Sequence, residues 1–541
     1  MQLRIRKKIC ILLSALMLMS ALFGCAGEEA SGDERFVLRA AVCSRLDSLD
    51  PAMNVDPRAE SIFYALYENL MRVEDDGTGH VRVVPGIAKS YQETENADGT
   101  VDYVFTLRSS ARWSDGKRVR ARDFAYAWRR LVDPATDSPN HAALSMVQGY
   151  EIARTTGDLT QFGVKAEGDT TLRVTLAAPC AFFIGEACTA VATMPLRSDA
   201  VENDPEWTST ISAKSNGAYQ VSVWSEDEYI QLRRSDSYYG ARKTGPDTLR
   251  FIFTSGEEES LRMYADGRAD YALVPPGDAA GESFVPLRAT VCVLYNHMSD
   301  LFSNKHIRRA FDLSLDRASI AAALGEGVAP AEGLVPPGMT DAAAEDDFRA
   351  AGGALCAADA GGYGARCLLA VQELHDGGYW SGESIPTVSC MYVAEDETRT
   401  TAAAVAASWS EGLGVSVATL GVSREEFDRR VSEGDYELAI DTLASRRGDA
   451  MEFLAPFAGV GADNALHFAS TSYDLLIGVA ETSDDPAARA AFLHDAEVLL
   501  LRDTALSPLY YGTLACALRD GLDGVWHDLR GNPCFNGVTR S

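Results

Sequence analysis

Four consecutive residues stand where a ligand could be held. Tyr436, Leu438 and Ile440 alternate as a strand, and Asp441-Thr442-Leu443-Ala444 follow directly. This strand closes a passage in which strands and helices alternate, and such alternation implies a parallel sheet with crossover helices. In parallel sheets, ligands sit beyond the carboxyl ends of the strands. An acid, a hydroxyl and bare backbone at that point suit binding; the alternative is that the four residues merely begin a loop. Catalytic patterns are missing elsewhere. The chain has no G-x-S-x-G, no Walker loop, no zincin helix and no dinucleotide fingerprint. Its eight histidines are dispersed, with no H-x-x-x-H and no mixed Cys/His knot. No metal, no cofactor and no enzymatic activity is therefore expected.

The elements that would position such a site read clearly between residues 363 and 441. A helix holds Leu368, Leu369, Val371 and Leu374 and ends at Gly377-Gly378; a strand runs from Thr387 to Val393. A second helix carries Ala402, Val405, Ala406 and Trp409 at i, i+3, i+4, i+7 and stops at Gly412. Val415 to Leu420 is a strand, and Arg424 to Glu433 a helix ending at Gly434. Earlier, Phe36 to Val42 reads as a strand. Ala59, Ile62, Phe63, Leu66 and Leu70 recur at helical spacing. Val101, Tyr103, Phe105 and Leu107 alternate strictly, with a partner strand before the Ala97-Asp98-Gly99 turn, and Leu172, Val174 and Leu176 alternate again. Phe124, Ala127, Trp128 and Leu131 mark one face of a helix stopped before Asp133-Pro134; these aromatics and Trp113 are expected in a core, and Asp123 at a helix start complements the helix dipole. Asp485-Pro486 is an N-cap and N1 pair, with Phe492, Ala496, Leu499 and Leu500 expected on the inner face of the helix it opens. Ala318 to Ala365, rich in alanine and glycine, reads as a long surface excursion.

Composition narrows the class. The 541 residues allow two or three domains, and the formal charge of −29 repels nucleic acid and anionic lipid headgroups. The chain opens with Arg4, Arg6, Lys7 and Lys8, then an apolar run of 13 residues from Ile11 to Phe23. A permanent span needs roughly 17–25 residues, so the run suits a secretory signal. Leu22-Phe23-Gly24-Cys25 resembles a bacterial lipobox, which implies cleavage before Cys25, a lipid on that cysteine, and a polar tether over residues 25–35. Each buried methylene of such a lipid adds about 0.8 kcal/mol of membrane affinity. The folded body should then face the extracytoplasmic side of a cell membrane. Nine cysteines follow Cys25, with no C-x-x-C. Some could pair in an exported protein, but the odd count leaves one over; most are expected as small buried side chains.

Several stretches then match a family. They are Ser48-Leu49-Asp50-Pro51 with Leu66-Tyr67-Glu68-Asn69-Leu70; Phe105-Thr106-Leu107-Arg108 with Trp113-Ser114-Asp115-Gly116-Lys117 and Asp123 to Leu131; Asn216-Gly217-Ala218-Tyr219; Asn304 to Phe311 with Leu315-Asp316-Arg317; and Pro508-Leu509-Tyr510. In order and spacing the chain resembles the extracellular solute-binding proteins of oligopeptide and dipeptide ABC importers. The resemblance implies an α/β, two-lobed binding-protein fold of type II, with an extra subdomain in the first lobe. After a signal at 1–24, lobe I would comprise residues 36–58, 190–272 and 507–541, with 59–189 inserted, and lobe II residues 273–506. Hinge crossings would fall near Leu273 to Leu287 and near Leu506 to Tyr511. The partners implied are a small peptide-like ligand and a membrane permease, with the receptor a monomer. Ligand that touches both lobes would stabilise the closed state.

The family's peptide-binding members carry a Trp and then Ala-Asp-Tyr after the strand at Tyr436 to Ile440, and the Asp grips the peptide's ammonium. Here Thr442 stands at the Trp position, Ala444 matches, Ser445 replaces the Asp and Arg446 the Tyr. Removing one partner of a buried ion pair costs about 3–5 kcal/mol. The resemblance therefore leaves three alternatives: Asp441 or Asp56 takes over the amine, the ligand is not a free-amine peptide, or transport has been lost. Arg446 and Arg447 would favour an anion if they face the ligand, and matter little if they face solvent. By matched position, further contacts are expected from Val55, Asp56, Asn140 and Tyr511, beside Asp441, Thr442, Leu443, Ala444 and Ser445. A surface or signalling protein that keeps the fold without the site is the competing reading.

Overall fold

The computed structural model describes residues 35–42, 45–75, 81–180, 182–209, 211–240, 245–275, 282–325, 327–339, 347–359, 361–394, 396–445, 448–459, 464–483, 485–528 and 530–541. The anticipated signal, Cys25, Cys43, Arg446 and Arg447 lie outside these residues. The folded body spans Val37–Ser541.

Its longer strands, among the described residues, are β1 (Val37–Ala41), β2 (Met71–Asp75), β3 (Val81–Pro85), β4 (Ala88–Glu95), β5 (Val101–Leu107), β6 (Val164–Ala166), β7 (Thr171–Leu176), β8 (Tyr219–Ser225), β9 (Tyr229–Arg234), β10 (Thr248–Ile252), β11 (Tyr271–Val274), β12 (Glu282–Tyr295), β13 (Val388–Val393), β14 (Val417–Val422), β15 (Leu438–Ala444) and β16 (Leu506–Leu518). Ten of them form one mixed sheet in the order β14-β13-β15-β12-β16-β11-β1-β10-β9-β8. A separate four-stranded sheet, β4-β5-β7-β6, belongs to the inserted region. The molecule is a two-lobed α/β fold: in the ten-stranded sheet β1 and β8–β11 lie to one side, β13–β15 to the other, and β12 and β16 between them.

Two long strands join the lobes. β16 pairs with β11 through Ala515–Leu518, and β12 runs antiparallel beside it. Their register is regular from Glu282↔Ala517 to Pro286↔Thr513, shifts, and resumes at Thr290↔Tyr511. The pairing of the two strands is thus interrupted at residues 286–290 of β12 and 511–513 of β16. At the shift Gly512 lies so close to Ala289 that an added Cβ would stand 2.9 Å from the Ala289 Cβ.

In the second lobe the alternation produces the expected parallel order. β13 pairs with both β14 and β15 in parallel, and the crossover helices are Tyr363–Asp376, Asp396–Leu413 and Arg424–Glu433. The last ends on Gly434 at φ 69°, a left-handed cap suited to glycine. Trp409, Val405 and Ala402 are buried, and the Trp409 indole donates to the Phe311 carbonyl at 2.9 Å. In the inserted region the Ala121–Val132 helix buries Phe124 and Trp128. Its Asp123 accepts from the Arg120 backbone N at 2.9 Å and from Trp113 Nε1 at 3.0 Å. Asp485 caps the Pro486–Arg502 helix by accepting from Ala487 N at 3.0 Å. Cys188, Cys292, Cys390, Cys516 and Cys534 are buried thiols.

Five sequence expectations are corrected. The first helix spans only Glu60–Leu66, so Leu70 is buried outside it: Asn216 takes the Glu68 backbone N (3.2 Å) and O (2.9 Å), and that tertiary pairing replaces further helical bonds. β14 starts two residues later than read, at Val417. The region 318–365 is not a surface excursion, because Ala331, Leu334, Val335, Met339 and Phe348 are all buried in it. In the Tyr363–Asp376 helix Ala370 and Leu374 face the core, whereas Leu368 and Leu369 are 75% and 59% exposed. The inner face of the Pro486–Arg502 helix is Ala490, Leu493, Ala496, Glu497 and Leu500, rather than Phe492 and Leu499, which are only partly buried.

Candidate functional site

Asp441-Thr442-Leu443-Ala444 do not begin a loop. They continue β15 and pair with Cys292, Val291, Thr290 and Ala289 of β12. Alternate side chains of a strand share a face. Leu438 and Ile440 lie in the core with Trp409, Leu509 and Tyr510, and Thr442 and Ala444 extend the same face into the open, both exposed. Val291 is the register partner of both Thr442 and Tyr510, so Thr442 and Tyr510 flank one position of β12.

Tyr510 leads to a carboxylate. Its hydroxyl donates to Glu397 Oε1 at 3.1 Å and lies 2.8 Å from Thr401 Oγ1. Glu397 opens the helix that follows β13, hence stands at the carboxyl end of a parallel strand. Near it comes Glu257, the first residue of the Glu257–Ala265 helix, with Arg58 Nη2 at 3.7 Å. Burial raises the Glu257 carboxyl above the usual range, Arg58 opposes this, and the like charge of Glu397 raises it further. Two acids from segments far apart in the chain therefore act on each other. The rule that pointed to residues 441–444 would also have found Glu397 had it been applied to the end of β13; Glu257 has no such signal.

The other anticipated residues are placed as follows. Val55 is 71% exposed. Asp56 accepts from Arg58 N at 2.9 Å, and Asn140 Nδ2 donates to the carbonyls of Ala52 (3.1 Å) and Asn54 (2.7 Å). Asn140 thus ties down the turn that presents Val55 and Asp56, and the structure brings these three together. Asp441 accepts from Arg424 Nη1 at 3.1 Å and from the Thr442 backbone N at 2.9 Å. Burial raises its carboxyl and Arg424 opposes that, so Asp441 already has a cation. Ser445 is buried: its backbone N donates to the Arg288 carbonyl at 2.9 Å, its hydroxyl donates to Glu452, and Gly448 N donates to its Oγ at 2.8 Å. The serine closes its own loop. Tyr511 is also turned inward, its hydroxyl accepting from Glu332 N (3.0 Å) and Gly333 N (3.1 Å), and burial pushes the phenol up to about 12.

Arg288 was not anticipated. Its side chain passes between two left-handed glycines, Gly338 (φ +85°) and Gly448 (φ +74°); a Cβ on Gly448 would stand 2.1 Å from Arg288 Nη1. Burial lowers the guanidinium to about 10 although Asp347, Glu452 and Asp528 all pull it upward. Among the described residues, His306, Glu373 and Asp376 are grouped closely enough to share a metal, with ligand atoms within 4.8 Å of one another. His306 Nδ1 lies 2.7 Å from Glu373 Oε2, and Arg309 holds Oε1 at 2.8 Å, so the cluster is already an ion-pair network.

Comparison with known proteins agrees with this geometry. The family profile "Bacterial extracellular solute-binding proteins, family 5 Middle" matches residues 82–465. The periplasmic oligopeptide-binding protein OppA of Escherichia coli K12 is 29% identical over 488 residues, 86% of each chain. The probable deoxycholate-binding periplasmic protein YgiS of the same organism is 26% identical over 494 residues, 88% of each chain. The solved structure of the E. coli murein tripeptide binding protein MppA superposes with a TM-score of 0.73 at 24% identity, covering 94% of this chain and 99% of that one, and shows the shared fold. Each of these relatives is described as a binding protein. The chain belongs to the bacterial extracellular solute-binding proteins of family 5.

Proposed function

We propose that this chain is a lipid-anchored extracytoplasmic receptor that closes its two lobes on a peptide or peptide-like solute and delivers it to an ABC importer. The observation that carries the reading is the pair Glu257 and Glu397, one on each jaw in this reading, with Glu397 bonded to Tyr510, which flanks the same position of β12 as the exposed Thr442. An ammonium between the two carboxylates would relieve their repulsion only when the lobes approach, which is the differential affinity that closure needs. The edge of backbone at β15 can hold an extended chain by main-chain hydrogen bonds. On this reading the jaws are residues 36–58, 190–272 and 507–541, with 59–189 inserted, against 273–506. The β12–β16 register shift is the hinge, and Cys25 bears the lipid.

The test is calorimetric titration with short peptides and their N-acetylated counterparts. A hydrogen bond to a charged group contributes about 1.5–3 kcal/mol, so acetylation, Glu257→Gln and Glu397→Gln should each weaken binding by about ten- to a hundredfold. Equal affinity for free and acetylated peptides would remove the two acids from the ligand. Failure of every peptide to bind, with no compaction in small-angle scattering, would remove the receptor reading.

A second reading is a receptor for a non-peptide solute bearing an acid. It is favoured by Arg288, whose guanidinium is partly desolvated against Gly448 and whose backbone carbonyl accepts from Ser445, the residue at the position where the resemblance implies an acid. One relative is described as binding deoxycholate, a carboxylate. Arg288→Met would abolish binding of such a solute while leaving amine-dependent binding intact.

A further inference from the structure

We propose that a divalent transition cation of the zinc class binds between the Lys305–Leu313 and Tyr363–Asp376 helices, held by His306, Glu373 and Asp376. The ligand atoms of these side chains, one imidazole nitrogen and two carboxylate oxygens, lie within 4.8 Å of one another. Donors about 2.0–2.2 Å from a common zinc stand up to about 4 Å apart, so a side-chain adjustment of about 1 Å closes the three on one ion. No motif in the sequence announces the site, because His306 and Glu373 are 67 positions apart.

The two helices are tied together where the ligands meet. Asn304 caps the first, its Oδ1 accepting from His306 N at 3.0 Å. Its Nδ2 donates to the carbonyl of Gly377, just past the end of the second, at 3.2 Å. A Cβ on Gly377 would stand 2.6 Å from Ile307 Cδ1, so glycine there lets the helix ends approach. Each carboxylate is also oriented by a residue outside the ligand set. Arg309 Nε holds Glu373 Oε1 at 2.8 Å, and Oε2 faces His306 Nδ1 at 2.7 Å. Gln372 Nε2 donates to Asp376 Oδ1 at 3.0 Å. Outer contacts of this kind fix the direction in which metal ligands point.

Helix stability does not account for the two acids. Glu373 and Asp376 occupy the last turn of their helix, at the negative end of its dipole, where acids are unfavourable and a cation is favoured. Arg309 offsets Glu373, but Asp376 forms no ion pair among the described residues. A bound divalent ion would offset both. It would take the place of the proton now shared by His306 Nδ1 and Glu373 Oε2, which leaves to solvent. An imidazole beside carboxylates selects zinc-like ions over Mg²⁺ and Ca²⁺, which prefer shells of oxygen alone. Three protein donors leave a further position for water. The side chain of His306 is 52% exposed and that of Glu373 20%, so the ion can enter directly from solvent.

The experiment is calorimetric titration of the whole protein with zinc chloride, and with magnesium and calcium chloride for comparison. Zinc should bind at one site per chain, about tenfold or more tightly than magnesium or calcium. His306→Gln and Asp376→Asn should each weaken zinc by about tenfold or more, with an unchanged circular dichroism spectrum confirming the fold. Free thiols are the competing ligands in this chain. Cobalt(II) separates the two, because thiolate ligation gives intense near-ultraviolet charge-transfer absorption and nitrogen–oxygen ligation does not; the first equivalent should lack that absorption. No saturable zinc binding up to ~1 mM, binding that survives either variant, equal affinity for magnesium, or thiolate absorption from the first cobalt equivalent overturns the assignment. Such a result would leave the interlobe reading untouched, because the two sites share no residue.

Discussion

Glu497 should be among the costliest residues in the second lobe to alter. Its carboxylate is fully buried, and Arg349, 5% exposed, grips it through two bonds of 2.9 and 2.8 Å. The backbone N–H groups of Leu334 and Val335 also donate to Oε1, at 2.8 and 2.9 Å. One acid on the Pro486–Arg502 helix therefore holds the 331–339 segment, which Tyr511 anchors at Glu332 and Gly333. Glu497→Gln keeps an acceptor for the two backbone donors but strips the guanidinium of its counter-charge. Breaking a buried pair from one side costs about 3–5 kcal/mol, against about 0–1 kcal/mol for an exposed pair. Adding Arg349→Met to Glu497→Gln removes the stranded cation, so the double variant should recover part of that loss. Urea unfolding followed by circular dichroism measures both, provided the denaturant slope is unchanged. A loss below about 1 kcal/mol for Glu497→Gln, or a double variant no more stable than the single, would show that the pair is not held as argued.

Other outcomes follow from the same structure. Burial lowers His297 and His527 to about 4, so the unfolded chain binds more protons between about pH 6.5 and pH 4, and stability should fall as pH falls through that window. The slope is at most about 1.4 kcal/mol per pH unit for each histidine, and His527→Phe should flatten the profile of the melting temperature. Gly448→Ala would force a left-handed residue to carry a side chain against Arg288, and should cost about 1–2 kcal/mol and shift ligand affinity; a silent variant would contradict the close approach. Cys25→Ala should abolish radiolabelled palmitate incorporation and move the protein from the membrane to the soluble extracytoplasmic fraction. Persistence in the membrane would rule out a lipid at that residue.

Local patterning was enough to find most elements. The strict alternation of Val101 to Leu107, the Asp485-Pro486 start and the Gly434 stop each encode their structure within a few residues, because period, capping and left-handed backbone are short-range matters. The family was legible for a related reason: the stretch that carried the resemblance holds local packing and capping residues, Trp113 and Trp128 in the core and Asp123 at the start of its helix.

What faces what was not legible. Leu368 and Leu369 look like core and are exposed, whereas Glu497 looks like surface and is wholly buried; a long-range ion pair decided the second. Residues 331–339 read as a loop because their anchors, Glu497 and Tyr511, lie about 160–180 positions away in the chain. The binding region shows the same division. The end of β15 could be located from its own alternation, but the engagement of Asp441 by Arg424, the bond from Ser445 to Arg288 and the confrontation of Glu257 with Glu397 arise only when separate segments meet. Sequence determined the elements and the lineage, because both are written in short-range spacing. Tertiary structure alone decided which charges are satisfied, because a charge's partner is set by three-dimensional neighbours rather than by position along the chain.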